Sequence, residues 1–254
     1  WIVAEWDATA AKVNESLAKY RYDDAANTLY QDVWGIGCDW YLEIVKLRLD
    51  FEASQRDGET TSQRDVRLAG TKAALTTLVA AFEAALRLLS PFMPFLTEEL
   101  WRAVYDGEPP AKSIALTRYP QAYLAADNTA VLIDMNFLQN LITGIRATRK
   151  EINVEEKAIV DIEIDALGSY RNVIDRDLII IQRLAKVNQV RHVDRFSDGL
   201  SKYSNPNFDV AVIYEKKIDV AAERERLSKD IAKYEKGLAA AERRRDPQQA
   251  RHRQ

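Results

Sequence analysis

The sequence predicts a mainly α-helical chain: an antiparallel helical bundle, then a small α+β unit, then a C-terminal coiled-coil helix. Three observations carry this. Apolar residues in the first 100 positions recur near a 3.6-residue period over long stretches. Between positions 158 and 214 the pattern shortens to runs rich in Ile and Val, the signature of strands. From Val220 through Leu227, Ile231, Tyr234 and Leu238 to Ala241, the spacing of 7, 4, 3, 4 and 3 is an a/d seam.

Each element has its own warrant. Ile2, Trp6, Thr9, Val13, Ser16 and Leu17 define the first helix. The turn at Arg21-Tyr22 with acidic Asp23 and Asp24 opens a second, from about Asp24 to Phe51, with Ala25, Leu29, Val33, Ile44 and Leu47 on its apolar face. Gly35 and Gly37 inside it cost about 1 kcal/mol each against Ala, so they mark a close helix–helix crossing. Polar residues 53–62, with Gly58, form a loop. A third helix runs from about Gln63 to Ser90 and is stopped by Pro91 and Pro94. Thr97 caps a short helix whose first turn holds Glu98 and Glu99. Residues 105–127, with Pro109, Pro110 and Pro120, read as a connector folded against the bundle. A helix from Asp127 to Ile152, a strand from Ala158 to Ile164, a helix from Asp175 to Lys186, and strands Val190–Val193 and Phe208–Tyr214 make the α+β unit. The domain boundaries that follow are 1–126, 127–217 and 218–254.

Composition sets the function classes. At 254 residues, 47% hydrophobic and 30% charged, the chain has material for a real core and is not a disordered polyampholyte. No segment approaches about 18 uninterrupted apolar residues, so no membrane span is predicted. Cys38 is the only cysteine, which excludes an internal disulfide and points to a reducing, cytoplasmic compartment. With His192 and His252 the only histidines, neither a zinc cluster nor a Cys/His catalytic pair has support. Adjacent carboxylates such as Glu98/Glu99 do not face one site on a helix, and no glycine-rich phosphate loop is present. No catalytic, cofactor or metal site is predicted.

Charge points elsewhere. The net charge is -3, but from Lys216 onward the chain holds 12 Lys/Arg against 7 Asp/Glu. A basic tail on an acidic body can orient a polyanion. Arg146, Arg149 and Lys150 stand at i, i+3 and i+4, three cations within about one turn, a face able to follow a phosphate backbone. A solvated face balanced by Glu151 is the alternative. Tyr20, Tyr22, Tyr30, Trp34, Trp40 and Tyr41 have polar neighbours and could stack on unpaired bases, although their helical spacing also suits a core.

Specific runs sharpen this. Tyr20-Arg21-Tyr22-Asp23-Asp24-Ala25-Ala26, then Cys38-Asp39-Trp40-Tyr41-Leu42-Glu43, then Leu89-Ser90-Pro91-Phe92-Met93-Pro94-Phe95-Leu96-Thr97-Glu98-Glu99-Leu100-Trp101 together resemble the anticodon-binding helical domain of class I aminoacyl-tRNA synthetases. The stretch Ile145-Arg146-Ala147-Thr148-Arg149-Lys150-Glu151-Ile152-Asn153-Val154, followed by strand, helix and Ile218-Asp219-Val220-Ala221-Ala222-Glu223-Arg224-Glu225-Arg226-Leu227, resembles the valyl branch of that family. The resemblance covers the chain to about Ala241. It implies a tRNA partner, specific for valine, held at the anticodon stem and outer corner. Arg21 and Asn27 would then lie near the anticodon loop, Arg146, Arg149 and Lys150 on phosphate, and Arg224, Lys229, Lys233 and Arg243 along the coiled coil.

The resemblance has equally definite gaps. The family's His-Ile-Gly-His and Lys-Met-Ser-Lys-Ser signatures are absent, so the chain alone is expected to be non-enzymatic. ATP and Mg²⁺ would belong to a catalytic half of the same polypeptide. A first helix of the binding domain is expected before Trp1 and a returning helix after Glu242. The seam's partner helix would come from that segment or from another molecule. Two rivals remain: an isoleucyl or leucyl relative, and a helical protein-interaction module that never touches RNA.

Overall fold

A computed structural model describes residues 1–52, 54–122, 129–214 and 227–238. Contacts divide the chain into two units, Trp1–Ile213 and Tyr214–Gln254. The first opens with α1 (Ile2–Ala18), whose Ile2, Trp6, Ala10 and Val13 form a buried stripe. Tyr20 then takes a left-handed φ of 58°, and α2 (Tyr22–Gln31) folds back so that Ala25 and Leu29 meet Ala10 and Val13 in one cluster. Leu88 and Leu89 close that cluster from α4 (Thr61–Leu89). Trp6 also donates its indole N–H to the Ala81 carbonyl at 2.9 Å, tying α1 to α4 with a bond shielded from water.

The single helix expected from Asp24 to Phe51 is interrupted. After α2 the chain widens into a π-helix over Asp32–Tyr41, then returns to a short α3 (Leu42–Lys46) and stops. Gly37 supplies one reason. A Cβ there would stand 3.3 Å from the Trp6 ring, so the wide turn brings bare backbone onto the indole. The close crossing expected of both glycines holds for this one only, because nothing lies within 4 Å of a Cβ at Gly35. Thr71 anchors the segment after α3, accepting the Asp50 N–H at 3.1 Å.

A capping box begins α4: the Thr60 hydroxyl accepts from the Gln63 N–H at 3.3 Å and the Gln63 side chain accepts from the Thr60 N–H at 2.8 Å. Just before it, Arg67 grips Glu59 with Nε and Nη2 at 2.9 and 3.0 Å. That fork, with the Arg56 N–H, holds the Glu59 carboxyl at about 2, well below its ordinary 4.5. A depressed carboxylate stabilises the fold above its unfolded value and loses that contribution as pH falls from about 4.5 toward 2. Glu59→Gln should therefore lower the unfolding midpoint at pH 7, where the contribution is fully present, and flatten the acid limb so that the difference from the wild type vanishes as pH falls from about 4.5 toward 2. An unchanged acid limb would exclude the pair as a source of acid sensitivity.

The next helix, α5 (Pro94–Val104), starts four residues earlier than its sequence suggests, with Met93 rather than Thr97 at the cap. Pro94 stands at its first position, where a missing N–H costs nothing. Thr97 is buried and returns its hydroxyl to the Met93 carbonyl at 2.9 Å instead of capping. Glu98 accepts the Ser113 hydroxyl and the Ile114 N–H, both at 2.8 Å, and so fastens the connector. A 3-10 turn at Ile114–Leu116 and Tyr119, whose hydroxyl donates to the Leu88 carbonyl at 2.9 Å, continue that attachment. Over its described residues, 105–122, the connector does fold against the helices, and the remainder of the expected stretch, 123–127, lies outside the described residues. Burial pushes the Tyr119 phenol up to about 12.

The α+β part is built on α6 (Thr129–Glu151), β1 (Val160–Ala166), α7 (Gly168–Arg176), α8 (Leu178–Ala185), β2 (Val187–His192), β3 (Lys202–Asn205) and β4 (Phe208–Ile213). The sheet order is β2-β1-β4-β3, with β1 parallel to β2 and antiparallel to β4, and β3 antiparallel to β4. One helix was expected between the first two strands. Two are found, and Lys186, at φ 55°, turns the chain into β2. The short edge strand β3 lies where a loop was expected. Helix α6 buries Phe137, Leu138, Leu141, Ile142 and Ile145. Phe137 stacks on Tyr170 at 4.2 Å and meets Phe208 edge-on. In the central strand, buried Glu163 is satisfied by Ser197, which donates its hydroxyl at 2.6 Å and its N–H at 2.8 Å.

In the second unit, residues 227–238 are helical, and Leu227, Ile231, Tyr234 and Leu238 are all exposed on it. Val220 and Ala241, the ends of the expected seam, lie outside the described residues.

Candidate nucleic-acid interface

The cations singled out on α6 divide between two roles. Arg146 is exposed; its Nε and Nη2 donate to the Leu184 carbonyl at 3.0 and 2.8 Å, and its guanidinium lies 5.6 Å from the Trp40 ring centroid. It therefore reaches from the α+β part to the π-helix while keeping one edge in solvent. Lys150 is exposed at the last turn of α6. Arg149 is turned inward and only 8% exposed. Its Nη2 donates to the Ala158 carbonyl at 2.7 Å, and the Glu155 and Lys186 carbonyls lie at 3.4 Å. Arg149 binds protein backbone, so the three cations do not form one solvent-facing row.

Two further cations join Arg146 and Lys150. Because Arg146 reaches Leu184 and Arg149 reaches Lys186, the C-terminal turn of α8 lies beside the end of α6. Arg183 and Lys186, both exposed, stand on that turn, with Lys186 Nζ donating to the Glu156 carbonyl at 2.5 Å. They are four and seven positions beyond exposed Ile179, a spacing that a sequence reading could have used, but the strongly apolar run Leu178–Ile181 hides it.

Arg21 and Asn27 are both exposed on α2, Arg21 as its N-cap residue paired with Asp24. The six aromatics expected to stack on bases or fill the core separate clearly. Trp40 and Tyr41 are half-buried. Tyr30 and Trp34 are 63% and 45% exposed, and their rings stack at 5.4 Å with 17° between planes. Tyr20 and Tyr22 are 78% and 57% exposed and meet edge-on at 6.4 Å. Lys229 and Lys233 are exposed on helix 227–238, while Arg224 and Arg243 lie outside the described residues.

A separate groove of about 1010 Å³ runs along Gly70, Ala73 and Ala74 of α4 and Met135 of α6. Its Arg176 is neutralised by Asp134 and Asp177 at 3.1 and 2.7 Å, so it presents no free cationic edge there. Among the described residues, no group of three His, Cys, Asp or Glu could hold a metal ion, and no helix is long and apolar enough to cross a membrane.

Comparison with known proteins decides the family. The model of the anticodon-binding domain of tRNA ligase matches residues 1–164, which is α1 through most of β1. The chain belongs to that family. Among curated relatives, the valine–tRNA ligase of Rhizobium meliloti (strain 1021) is 34% identical over 239 residues, 92% of this chain and 23% of the relative. That of Neisseria meningitidis serogroup B (strain ATCC BAA-335 / MC58) is 32% identical over 240 residues, 94% and 24% respectively. That of Dechloromonas aromatica (strain RCB) is 32% identical over 245 residues, 95% and 24%. The chain thus spans about a quarter of the length of these relatives.

Proposed function

We propose that the chain is the tRNA-recognition region of a valine–tRNA ligase, holding the anticodon stem and outer corner of a valine-specific tRNA. The observation that carries the reading is the family match over residues 1–164 joined to valine–tRNA ligase relatives over more than nine-tenths of the chain. Residues 1–126 act as the anticodon-binding bundle, 127–217 as an α+β support and 218–254 as a coiled-coil helix with a polar tail. The exposed seam of residues 227–238 supports a partner helix packing there. Valine activation with ATP and Mg²⁺ belongs to a catalytic part of a longer cytoplasmic polypeptide, and this region contributes binding energy and orientation to it.

Within that reading Arg21 and Asn27 face the anticodon loop. Arg146 and Lys150, joined by Arg183 and Lys186, meet phosphate, while Arg149 holds the surface in shape. Arg224, Lys229, Lys233 and Arg243 contact tRNA along the coiled coil. The test is a titration of the chain with tRNA at two salt concentrations. Binding should weaken steeply with salt, and Lys150→Ala should lower affinity for every tRNA while reducing the slope of log K on log salt by about 1. Salt-independent binding, or none at low ionic strength, would rule the reading out and favour a protein-interaction module.

A further inference from the structure

We infer that Arg146 is a positioning residue: by joining Trp40 of the π-helix to the end of α8, it fixes the helical part and the α+β part at the separation that a tRNA touching both requires. The inference rests on the tRNA-binding reading and deepens it. Along one flank the two parts close on each other poorly. The groove of about 1010 Å³ runs there, with Ile44, Thr71 and Ala74 on one wall and Met135, Leu138 and Ile180 on the other. Open volume supplies no packing, so the angle between the parts depends on the points where side chains do cross. Arg146 is one such point, eight residues beyond Leu138 on α6, about 12 Å along the helix.

Both ends of the bridge are anchored. Leu184 stands one residue before the end of α8, so its carbonyl is among the last four of the helix, which have no partner within it. Nε and Nη2 of Arg146 donate to that oxygen at 3.0 and 2.8 Å, which fixes the plane of the guanidinium against the α+β part. A Lys could place a charge here but not that fork. Trp40 is held from the other side. Its neighbour Tyr41, with Val33 and Ile36 of the same π-helix, packs on the buried cluster of Ile2 and Trp6. The guanidinium lies 5.6 Å from the centroid of the half-buried Trp40 ring, within reach of the attraction between a cation and a π-face. The bridge thus sets Arg21 and Asn27 of α2 relative to Lys150, Arg183 and Lys186. Two sets of contacts to one ligand reinforce each other only when the geometry lets both engage. A loosened bridge leaves every one of those contact residues in place and lowers affinity nonetheless.

Two measurements on the full chain test this. In a Cys38→Ser background, spin labels at Thr76→Cys on α4 and Ser204→Cys on β3, both exposed positions, should report one narrow distance distribution. Arg146→Met, a surface substitution with little effect on the melting curve, should broaden or shift it. Trp40→Leu should do the same, and Trp40→Phe, which keeps a ring face, should not. In tRNA binding, Trp40→Leu removes no cation. Affinity should therefore fall about two- to 30-fold, the worth of a cation–π pair, with the salt slope unchanged. In an Arg146→Met background the same substitution should cost nothing more, whereas a Trp40 that served only the core would keep its cost there. A distribution that stays narrow in Arg146→Met overturns the inference, as does a folded Trp40→Leu that binds tRNA as tightly as the wild type. The tRNA reading stands in both cases. If the wild-type chain binds no tRNA, both fail together.

Discussion

Trp101→Ala should destabilise the helical part by about 3–5 kcal/mol, the range for emptying a large aromatic site in a core. Trp101 is fully buried among Leu86 and Ile114, with Val104, Tyr105 and Ala111 packed around it. Its indole N–H donates to Glu83 at 3.0 Å, and Tyr105 meets it edge-on at 5.4 Å. The side chain thus joins α4, α5 and the connector at one point, and no neighbour of comparable size stands ready to refill it. Glu83 keeps its fork to Arg87 at 2.7 and 2.9 Å, so losing the indole bond does not strand a carboxylate. Trp101→Phe isolates that lesser part and should cost about 1 kcal/mol. Thermal melts followed by circular dichroism check both values, at roughly 2–4 °C per kcal/mol for a unit of this size. Because α2 is held by a different cluster, around Ala25 and Leu29, RNA affinity of Trp101→Ala measured well below its melting point should be preserved. A loss below about 1 kcal/mol for Trp101→Ala would mean that the connector does not dock as described.

What could be read from sequence depended on whether the local pattern had one solution. Helices α1, α4 and α6 have long, regular stripes with clear stops, and each expected span agrees with the fold to within a few residues at most. The helix expected from Asp24 to Phe51 failed because its apolar positions were read on one 3.6-residue period, whereas the chain is a π-helix over Asp32–Tyr41 and leaves the helix after Lys46, and one reason, Trp6 against Gly37, is a contact across 31 positions. Strand β3 was missed because an edge strand of four residues carries one ring, Tyr203, among polar neighbours. Its pairing is fixed by β4 and by the bare flank of Gly144, where a Cβ would stand 2.5 Å from the Tyr203 ring. The aromatics illustrate the same limit. Tyr30 and Trp34 have the i, i+4 spacing of a core stripe, and only the packing of Leu29 inward turns them outward.

Arg149→Met should destabilise the α+β part by about 1–3 kcal/mol, because the Ala158 carbonyl loses its donor and the buried guanidinium its ties to the 155–158 turn and to Lys186, whereas Arg146→Met should cost well under 1 kcal/mol as a surface substitution. The contrast follows from one step of helix phase. Leu138, Ile142 and Ile145 advance by four and three residues along the buried stripe of α6, and the next step of four falls on Arg149. The i, i+3, i+4 spacing of Arg146, Arg149 and Lys150 suggested a common face. The apolar stripe running into the same helix was the stronger signal, because it fixes which side is inward. Arg149 reaches there because its donors span the 155–158 turn and the entry to β2 at once, a fork that Lys could not reproduce. Its contribution to RNA binding is consequently indirect. Under conditions where both variants are folded, Arg149→Met should leave the salt slope of tRNA binding intact, while Lys150→Ala lowers it by about 1. A full unit lost from the slope in folded Arg149→Met would place its guanidinium on phosphate and refute the structural role. An unchanged slope with a lowered melting point assigns Arg149 to the scaffold that carries Arg146, Lys150, Arg183 and Lys186.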